Sequence, residues 1–178
     1  HLIQRKDEGT ISEGVSLELC DRAGLARGAP RRTWAALGLS RVCGRSGRMG
    51  QARDWIARCL PGPERGELAI EVRLARASLD GQTGRFDEAV SACTALLREG
   101  DMTVHQRAKA LLTLGRARCM TQDIRAVAAL TEASASFERL GDTRRFADAQ
   151  VILAVVLRRI GGEGQESVRA TLGRAQEA

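Results

Sequence analysis

Apolar residues recur at intervals of three and four along most of this chain. Leu111, Leu114 and Ala117 follow that spacing in one stretch, and Cys93 and Leu96 follow it in another. Such spacing places apolar side chains on one face of an α-helix, whereas a half-buried strand would alternate at every second residue. Nothing in the chain reads as a strand, so the pattern predicts an all-α fold.

Glycine and proline divide this pattern into segments that we interpret as helices. Pro61 and Pro63, two positions apart, cannot both lie inside a continuing helix. The segments predict a leading helix around Ile11 to Leu25 and, after it, four helix pairs. The predicted pairs are 31–46 with 49–60, 65–80 with 86–98, 103–120 with 124–140, and 143–160 with 165–176.

Two landmarks recur along the chain with one period. In each predicted first helix a large apolar residue stands directly before a small one, and a turn follows. The small residues, spaced by 37, 40 and 39 positions, are Gly38, Ala75, Gly115 and Ala154. The turns, spaced by 37, 38 and 39 positions, begin at Gly47, Gly84, Gln122 and Gly161. The shared period predicts a repeated helix pair, with the small residue where its two helices cross closely.

The same residues resemble the tetratricopeptide repeat family. Trp34, Leu37 and Gly38 match the Trp-x-x-Leu-Gly motif of the first helix in that family, and Gly84 and Phe86 match its turn. The resemblance implies that Trp34 and Phe86 belong to the core of the repeats.

The resemblance covers residues 31–178 and implies a right-handed superhelical solenoid of antiparallel helix pairs, about four repeats long. Residues 1–30 are predicted to form a leading helix or a partial repeat. The chain departs from the family in its longer period, since the family repeats every 34 residues or so. It also departs in having Arg41 and Arg118 where the family usually has Tyr.

A narrower resemblance lies at Phe137–Asp142, the segment Phe-Glu-Arg-Leu-Gly-Asp. It is similar to a longer-period variant of the repeat found in bacterial ATP-binding LuxR-type regulators and antibiotic-pathway transcription regulators. The chain contains neither a Walker A loop nor a recognisable helix-turn-helix, so an ATPase or DNA-binding part would lie outside these residues.

The charge balance is modestly basic, with 28 Lys and Arg against 22 Asp and Glu and a net charge of +6. This permits an acidic partner but is too dilute for a dedicated nucleic-acid arm. Five scattered cysteines without a Cys-x-x-Cys motif predict buried free thiols in a cytoplasmic protein. The longest apolar run, Val151–Leu157, is far shorter than the roughly 20 residues of a membrane-spanning helix.

Catalysis is not expected from this sequence. Of the two histidines, His1 and His105, the second precedes Cys119 by 14 positions, with no orienting acid at a motif spacing. The glycine cluster Gly161–Gly164 follows a predicted helix and lacks the spacing of a phosphate-binding loop. We therefore predict no catalytic residue, no cofactor and no metal site.

The predicted first helices place basic residues on what would be the concave side of the solenoid. Counted from the small residue of each repeat, the candidate partner-binding positions are Arg32, Arg73, Arg76, Lys109, Leu112, Arg116, Val151, Val155, Arg158 and Arg159. Arginine binds carboxylates through two parallel hydrogen bonds, so the expected partner is an acidic peptide or a free C-terminal carboxylate. The alternative is that these arginines form an ordinary solvated face.

The expected function is that of a non-enzymatic scaffold which holds a protein or peptide in this groove. One alternative is a sensor or regulatory segment of a larger bacterial transcription regulator or signal-transducing ATPase. A second alternative is an RNA-binding helical repeat. The chain contains no Asn, one of the residue types by which such repeats read bases, and this argues against the RNA alternative.

Overall fold

The computed structural model describes residues 30–59 and 66–160, and this part of the chain folds into helices without a strand. The all-α prediction is thereby confirmed. The helices are α1 (Pro30–Arg45), α2 (Met49–Arg58), α3 (Glu67–Gln82), α4 (Phe86–Glu99), α5 (Val104–Met120), α6 (Ala126–Arg139) and α7 (Thr143–Ile160). The helices predicted around Ile11 to Leu25 and over 165–176 lie outside the described residues.

The chain divides into two compact units, with the boundary between Thr83 and Gly84. In the first unit α1, α2 and α3 all pack against one another. In the second unit each helix packs against the next along the chain, and α5 also contacts α7. The helix pair predicted over 65–98 is divided by this boundary, since α3 belongs to the first unit and α4 to the second.

Three of the four predicted turns contain a residue in the left-handed region of backbone conformation, and the fourth, at Gly161, lies outside the described residues. The backbone φ is 75° at Gly47, 84° at Gly84 and 59° at Gln122. Glycine adopts this region without steric cost, and Gln122 is the only non-glycine residue that does so among those described. These residues therefore explain the second landmark of the repeat, because each turn closes a first helix in the same way.

Local hydrogen bonds set where the helices of the second unit begin. The Thr103 hydroxyl accepts from the backbone N–H of Gln106 at 3.2 Å, and the Gln106 side chain accepts from the Thr103 N–H at 3.1 Å. This reciprocal pair is a capping box, which satisfies two backbone donors at the start of α5. At the start of α7 the Asp142 carboxylate accepts from the Arg145 N–H at 3.1 Å.

The core of the first unit contains aliphatic side chains, small residues and thiols. Leu37, Cys43 and Ala52 have no exposed surface. Ser40 is also buried, and its hydroxyl donates to the carbonyl oxygen of Ala52 at 2.9 Å, so α1 and α2 meet through a small polar residue. A larger side chain at position 40 would separate the two helices and break this bond.

Helices α5 and α6 cross closely at Gly115. A Cβ atom at that position would lie 2.5 Å from Cγ and 2.8 Å from Cδ2 of Leu130, and 3.5 Å from the carbonyl oxygen of Ala126. Only glycine therefore fits between α5 and α6. The prediction that Gly115 lies at a close crossing is confirmed.

The same prediction is wrong for Gly38. Gly38 is exposed, and a Cβ built there meets no atom within 4 Å. The residues seven positions before the left-handed turns are instead Ser40, Ala77 and Gly115, all of them buried. In the first two repeats the small buried residue thus lies two positions after the one chosen from the sequence, because the residue that meets the neighbouring helix is set by its distance from the turn. Ala75, chosen from the sequence, is only partly buried.

Replacing Gly38 by alanine is expected to stabilise the protein. Glycine inside an exposed helix costs about 0.5–1 kcal/mol relative to alanine, chiefly because the unfolded chain loses more conformational freedom on folding. Thermal and urea denaturation of Gly38→Ala should show a gain in the free energy of unfolding of about that size. A loss of stability would mean that Gly38 lies at a packed crossing after all.

Candidate functional site

The structure distributes the predicted groove residues over helices of both units. In the first unit Arg32 lies on α1, and Arg73 and Arg76 lie on α3. The residues of the second unit lie on α5 and α7, and they are Lys109, Leu112, Arg116, Val151, Val155, Arg158 and Arg159. The predicted first helices therefore carry every candidate position, as the repeat pattern requires.

On α5 the three candidates are spaced by three and four residues and share one face of the helix. Lys109 and Arg116 are half-buried on this face. Leu112 between them is buried, so it cannot serve as an open apolar floor for a partner. The sequence pattern placed Leu112 on one helix face with Lys109 and Arg116 but could not show that Leu112 would be buried.

On α7 the candidates also share a face of the helix. Val151 is 64% exposed, Val155 is half-buried and Arg158 is exposed. Arg159 donates from Nη1 to the carbonyl oxygen of Cys119 at 3.3 Å. That bond joins the C-terminal ends of α5 and α7, so Arg159 holds the two helices together.

Charge is divided unequally between the helices of the second unit. Helices α5 and α7 together carry eight Lys and Arg residues and a single acid, Asp148. Helices α4 and α6 together carry five acids and two arginines. The basic side chains thus belong to two helices that contact each other through Arg159 and Cys119. We name the surface formed by Lys109, Arg116, Val155 and Arg158 the basic face.

Several arginines on α5 and α7 are neutralised by nearby acids. Arg107 pairs with Glu132 at 3.0 Å, Arg118 with Asp123 at 3.5 Å, and Arg145 with Asp142. These acids lie on α6 or in the turns beside it. Within residues 30–59 and 66–160, the side chains of Arg116 and Arg158 of the basic face form no hydrogen bond or ion pair. Their charges are available to an external anion.

The first unit offers a smaller set of basic candidates. Arg73 and Arg76 lie three residues apart on α3, the first half-buried and the second exposed. Arg32 is half-buried on α1. On α3 the acid Glu71 is buried, with its side chain 7% exposed, and Arg41 of α1 binds it. This pair joins α1 to α3.

Arg41 and Arg118, which replace the Tyr of the resembled family, both form ion pairs. Arg41 binds Glu71, and Arg118 lies 3.5 Å from the Asp123 carboxylate. The hydrogen bond from the Arg125 guanidinium lowers the pKa of Asp123, and the nearby positive charges of Arg125 and Arg118 add to that effect. The two positions thus hold turns and helices together by charge.

Sequence reasoning placed Trp34 in the core, and this is wrong. Its side chain is 42% exposed on α1, whereas the buried indole of the first unit is Trp55 on α2. The guanidinium of Arg58 lies 4.4 Å from the centre of the Trp55 ring. The signal that separates the two tryptophans is angular position, because Trp34 falls on the side of α1 opposite the buried residues Ala36 and Cys43.

The thiols of the described residues are free and buried. Burial raises the pKa of Cys93 to about 12 and that of Cys59 to about 11. A nucleophilic cysteine needs the opposite shift. His105 and Cys119 lie near opposite ends of α5, and 14 residues of helix separate them by roughly 21 Å, so they cannot act as a nucleophile and its base.

His105 contacts Asp142 and Phe137 instead. Its Nε2 lies 3.5 Å from the Asp142 carboxylate, and its ring meets the edge of Phe137. Partial burial opposes ionisation of Asp142, but hydrogen bonds from Arg145 and His105 outweigh it and lower the pKa of the carboxyl. Asp142 therefore connects the starts of α5 and α7 as a charged structural residue.

Two further properties concern metals and membranes. In the part of the chain that the structure describes, no three His, Cys, Asp or Glu side chains come together as metal ligands would. No helix in the same part has the length and hydropathy needed to cross a membrane.

Comparison with known proteins gives no assignment. No family model matches the chain, and neither a curated protein nor a solved structure matches it.

Proposed function

We propose that this chain is a binding protein for an acidic peptide segment of a protein partner, held on the basic face of α5 and α7. The observation that carries the proposal is the division of charge in the second unit, where these two helices carry eight basic residues and a single acid. Arg107, Arg118 and Arg145 are paired with acids of the same unit, so the charges that would attract an acidic ligand are those of Arg116 and Arg158.

The environment of Arg116 favours strong binding of a carboxylate. Its side chain is half-buried, and charge interactions are stronger where protein excludes part of the solvent. Arg158 is exposed close to the point where Arg159 joins α7 to α5. A glutamate or a C-terminal carboxylate between these two arginines would accept charge-assisted hydrogen bonds from both.

The architecture proposed for this function is the right-handed superhelix of tetratricopeptide-like helix pairs. Its support is the repeated placement of a small buried residue seven positions before a left-handed turn, at Ser40, Ala77 and Gly115. Stacked pairs of this kind create an extended surface from their first helices, which suits an elongated ligand. The basic face lies on two such helices.

A direct binding measurement tests the proposal. Fluorescence anisotropy of a fluorescein-labelled deca-glutamate peptide should rise on titration with the full chain, and an equally labelled deca-glutamine peptide should show no saturable rise. The affinity should fall as salt rises, because charges are screened over about 10 Å at 0.1 M ionic strength.

Two outcomes would contradict the proposal. Equal binding of the glutamine peptide would show that charge does not determine recognition. Tighter binding of a ten-nucleotide single-stranded RNA than of deca-glutamate, under the same buffer, would favour the RNA alternative, since phosphates are attracted by the same arginines.

A further inference from the structure

The basic face continues into an apolar surface on α7. Val151 is 64% exposed, and Val155, four residues later on the same side of the helix, is half-buried. We name these two side chains the valine pair. Their apolar surface is in contact with water, and an apolar side chain of a ligand that covered it would be removed from water at the same time, which is favourable.

Two contacts show how α7 lies against α5. His105 reaches Asp142 near the start of both helices, and Arg159 donates to the Cys119 carbonyl near the end of both. The two helices therefore run in the same direction. The partners are 37 residues apart in the first contact and 40 in the second, so each residue of α7 lies level with the residue of α5 that precedes it by 37–40 positions.

This register places the valine pair beside the arginines to which the proposed function assigns the carboxylates of the ligand. Val155 lies level with Arg116, and Arg158 follows Val155 by three residues. Val151 is seven residues from Arg158, or roughly 10 Å along the axis of α7. One short peptide can therefore contact the valine pair and both arginines.

The charges at the other end of this row disfavour a carboxylate. Asp148 is exposed three residues before Val151, and it lies level with Lys109. Its negative charge repels a ligand carboxylate placed near Val151. An apolar side chain at that point meets no such repulsion. The surface thus favours acids towards Arg158 and an apolar residue over Val151.

We infer that the basic face selects acidic peptides with a large aliphatic side chain, which packs on the valine pair while neighbouring carboxylates bind Arg116 and Arg158. An extended peptide advances about 3.3 Å per residue, so the aliphatic residue lies about three positions from the carboxylate at Arg158. The inference rests on the proposed function and adds to it the chemical class of the peptide.

Two fluorescein-labelled decapeptides of equal charge test the inference by fluorescence anisotropy with the full chain. The first is Ser-Glu-Glu-Ser-Leu-Leu-Ser-Glu-Glu-Ser, whose symmetry makes the result independent of its direction on the surface. The second has Ser in place of both Leu. The leucine peptide should bind about tenfold more tightly than the serine peptide, which corresponds to roughly 1.4 kcal/mol.

Substitutions at Val151 should change the ratio of the two dissociation constants. Val151→Ser removes apolar surface and should lower the ratio to about three or less, whereas Val151→Phe enlarges that surface and should raise the ratio about twofold or more. The matched control is Val104→Ser on α5. Val104 is 59% exposed and lies roughly 140° around the helix from Lys109, so its loss should leave the ratio near ten.

The possible failures separate the inference from the proposed function. Equal binding of the leucine and serine peptides by the unaltered chain would overturn the inference, while binding of deca-glutamate would still support the proposed function. A ratio that Val151→Ser leaves unchanged, or that Val104→Ser lowers equally, would also overturn the inference. Absence of binding by all three peptides would overturn both.

Discussion

Gly115→Leu is expected to destabilise the second unit by about 3 kcal/mol or more, the upper range for overpacking a tight core. The Cβ alone would lie 2.5 Å and 2.8 Å from two carbon atoms of Leu130, closer than such atoms can approach. Leu130 is fully buried, so its side chain cannot turn aside into solvent. The two helices must therefore separate, and the contacts between α5 and α6 are lost. Thermal and urea denaturation followed by circular dichroism would measure the effect.

Gly38→Leu is the matched control for this experiment. The chemical change is identical, but Gly38 is exposed and a Cβ there meets nothing within 4 Å. The control should change the free energy of unfolding by less than about 0.5–1 kcal/mol, the usual range for exposed helix positions. Equal losses in the two variants would show that the crossing of α5 and α6 is not at Gly115.

Most of the helix boundaries follow from local sequence. The pattern predicts helices over 103–120 and 143–160, and the structure has Val104–Met120 and Thr143–Ile160. The prediction for α6 began two residues early, because Asp123 accepts from the backbone N–H of Arg125 at 3.0 Å and keeps that turn outside the helix. Hydrogen bonds of this kind, from a side chain to the backbone, depend on single residues. The spacing of apolar residues carries no information about them.

The position of the close crossings could not be obtained from the sequence with the same success. α1 contains two small residues two positions apart, Gly38 and Ser40, and the more conspicuous one is exposed. Ser40 is buried because its hydroxyl bonds to the Ala52 carbonyl, which satisfies the polar group away from water. A pattern of small residues identifies the helix that crosses closely, but the turn geometry decides which residue meets the partner helix.

The candidate site was predictable in its charge and not in its details. The sequence placed Lys109, Arg116 and Arg158 on first helices, and the structure agrees. It could not show that Arg159 would bind the Cys119 carbonyl, 40 residues away, because such a contact exists only once the helices have packed. Long-range pairs of this kind decide which arginines are occupied within the fold.

The double variant Arg116→Glu with Arg158→Glu is expected to weaken binding of the deca-glutamate peptide by at least about 100-fold, which corresponds to roughly 2.8 kcal/mol. Each change removes an attraction and adds a repulsion between like charges. Neither arginine side chain forms an ion pair or hydrogen bond within the described parts of the chain, so the fold should keep its stability within about 0.5 kcal/mol. Fluorescence anisotropy and a thermal melt measure the two quantities.

The control for this variant reverses the same number of charges on the second helices of the same unit. Arg98 on α4 and Arg139 on α6 are both exposed, and neither belongs to the basic face. Arg58 would be a poor choice, because its guanidinium lies over the Trp55 ring and its loss would disturb packing. Arg98→Glu with Arg139→Glu should weaken binding only a few-fold, through net charge. If the two double variants lose affinity equally, recognition depends on the overall charge of the chain and the basic face is not the binding site.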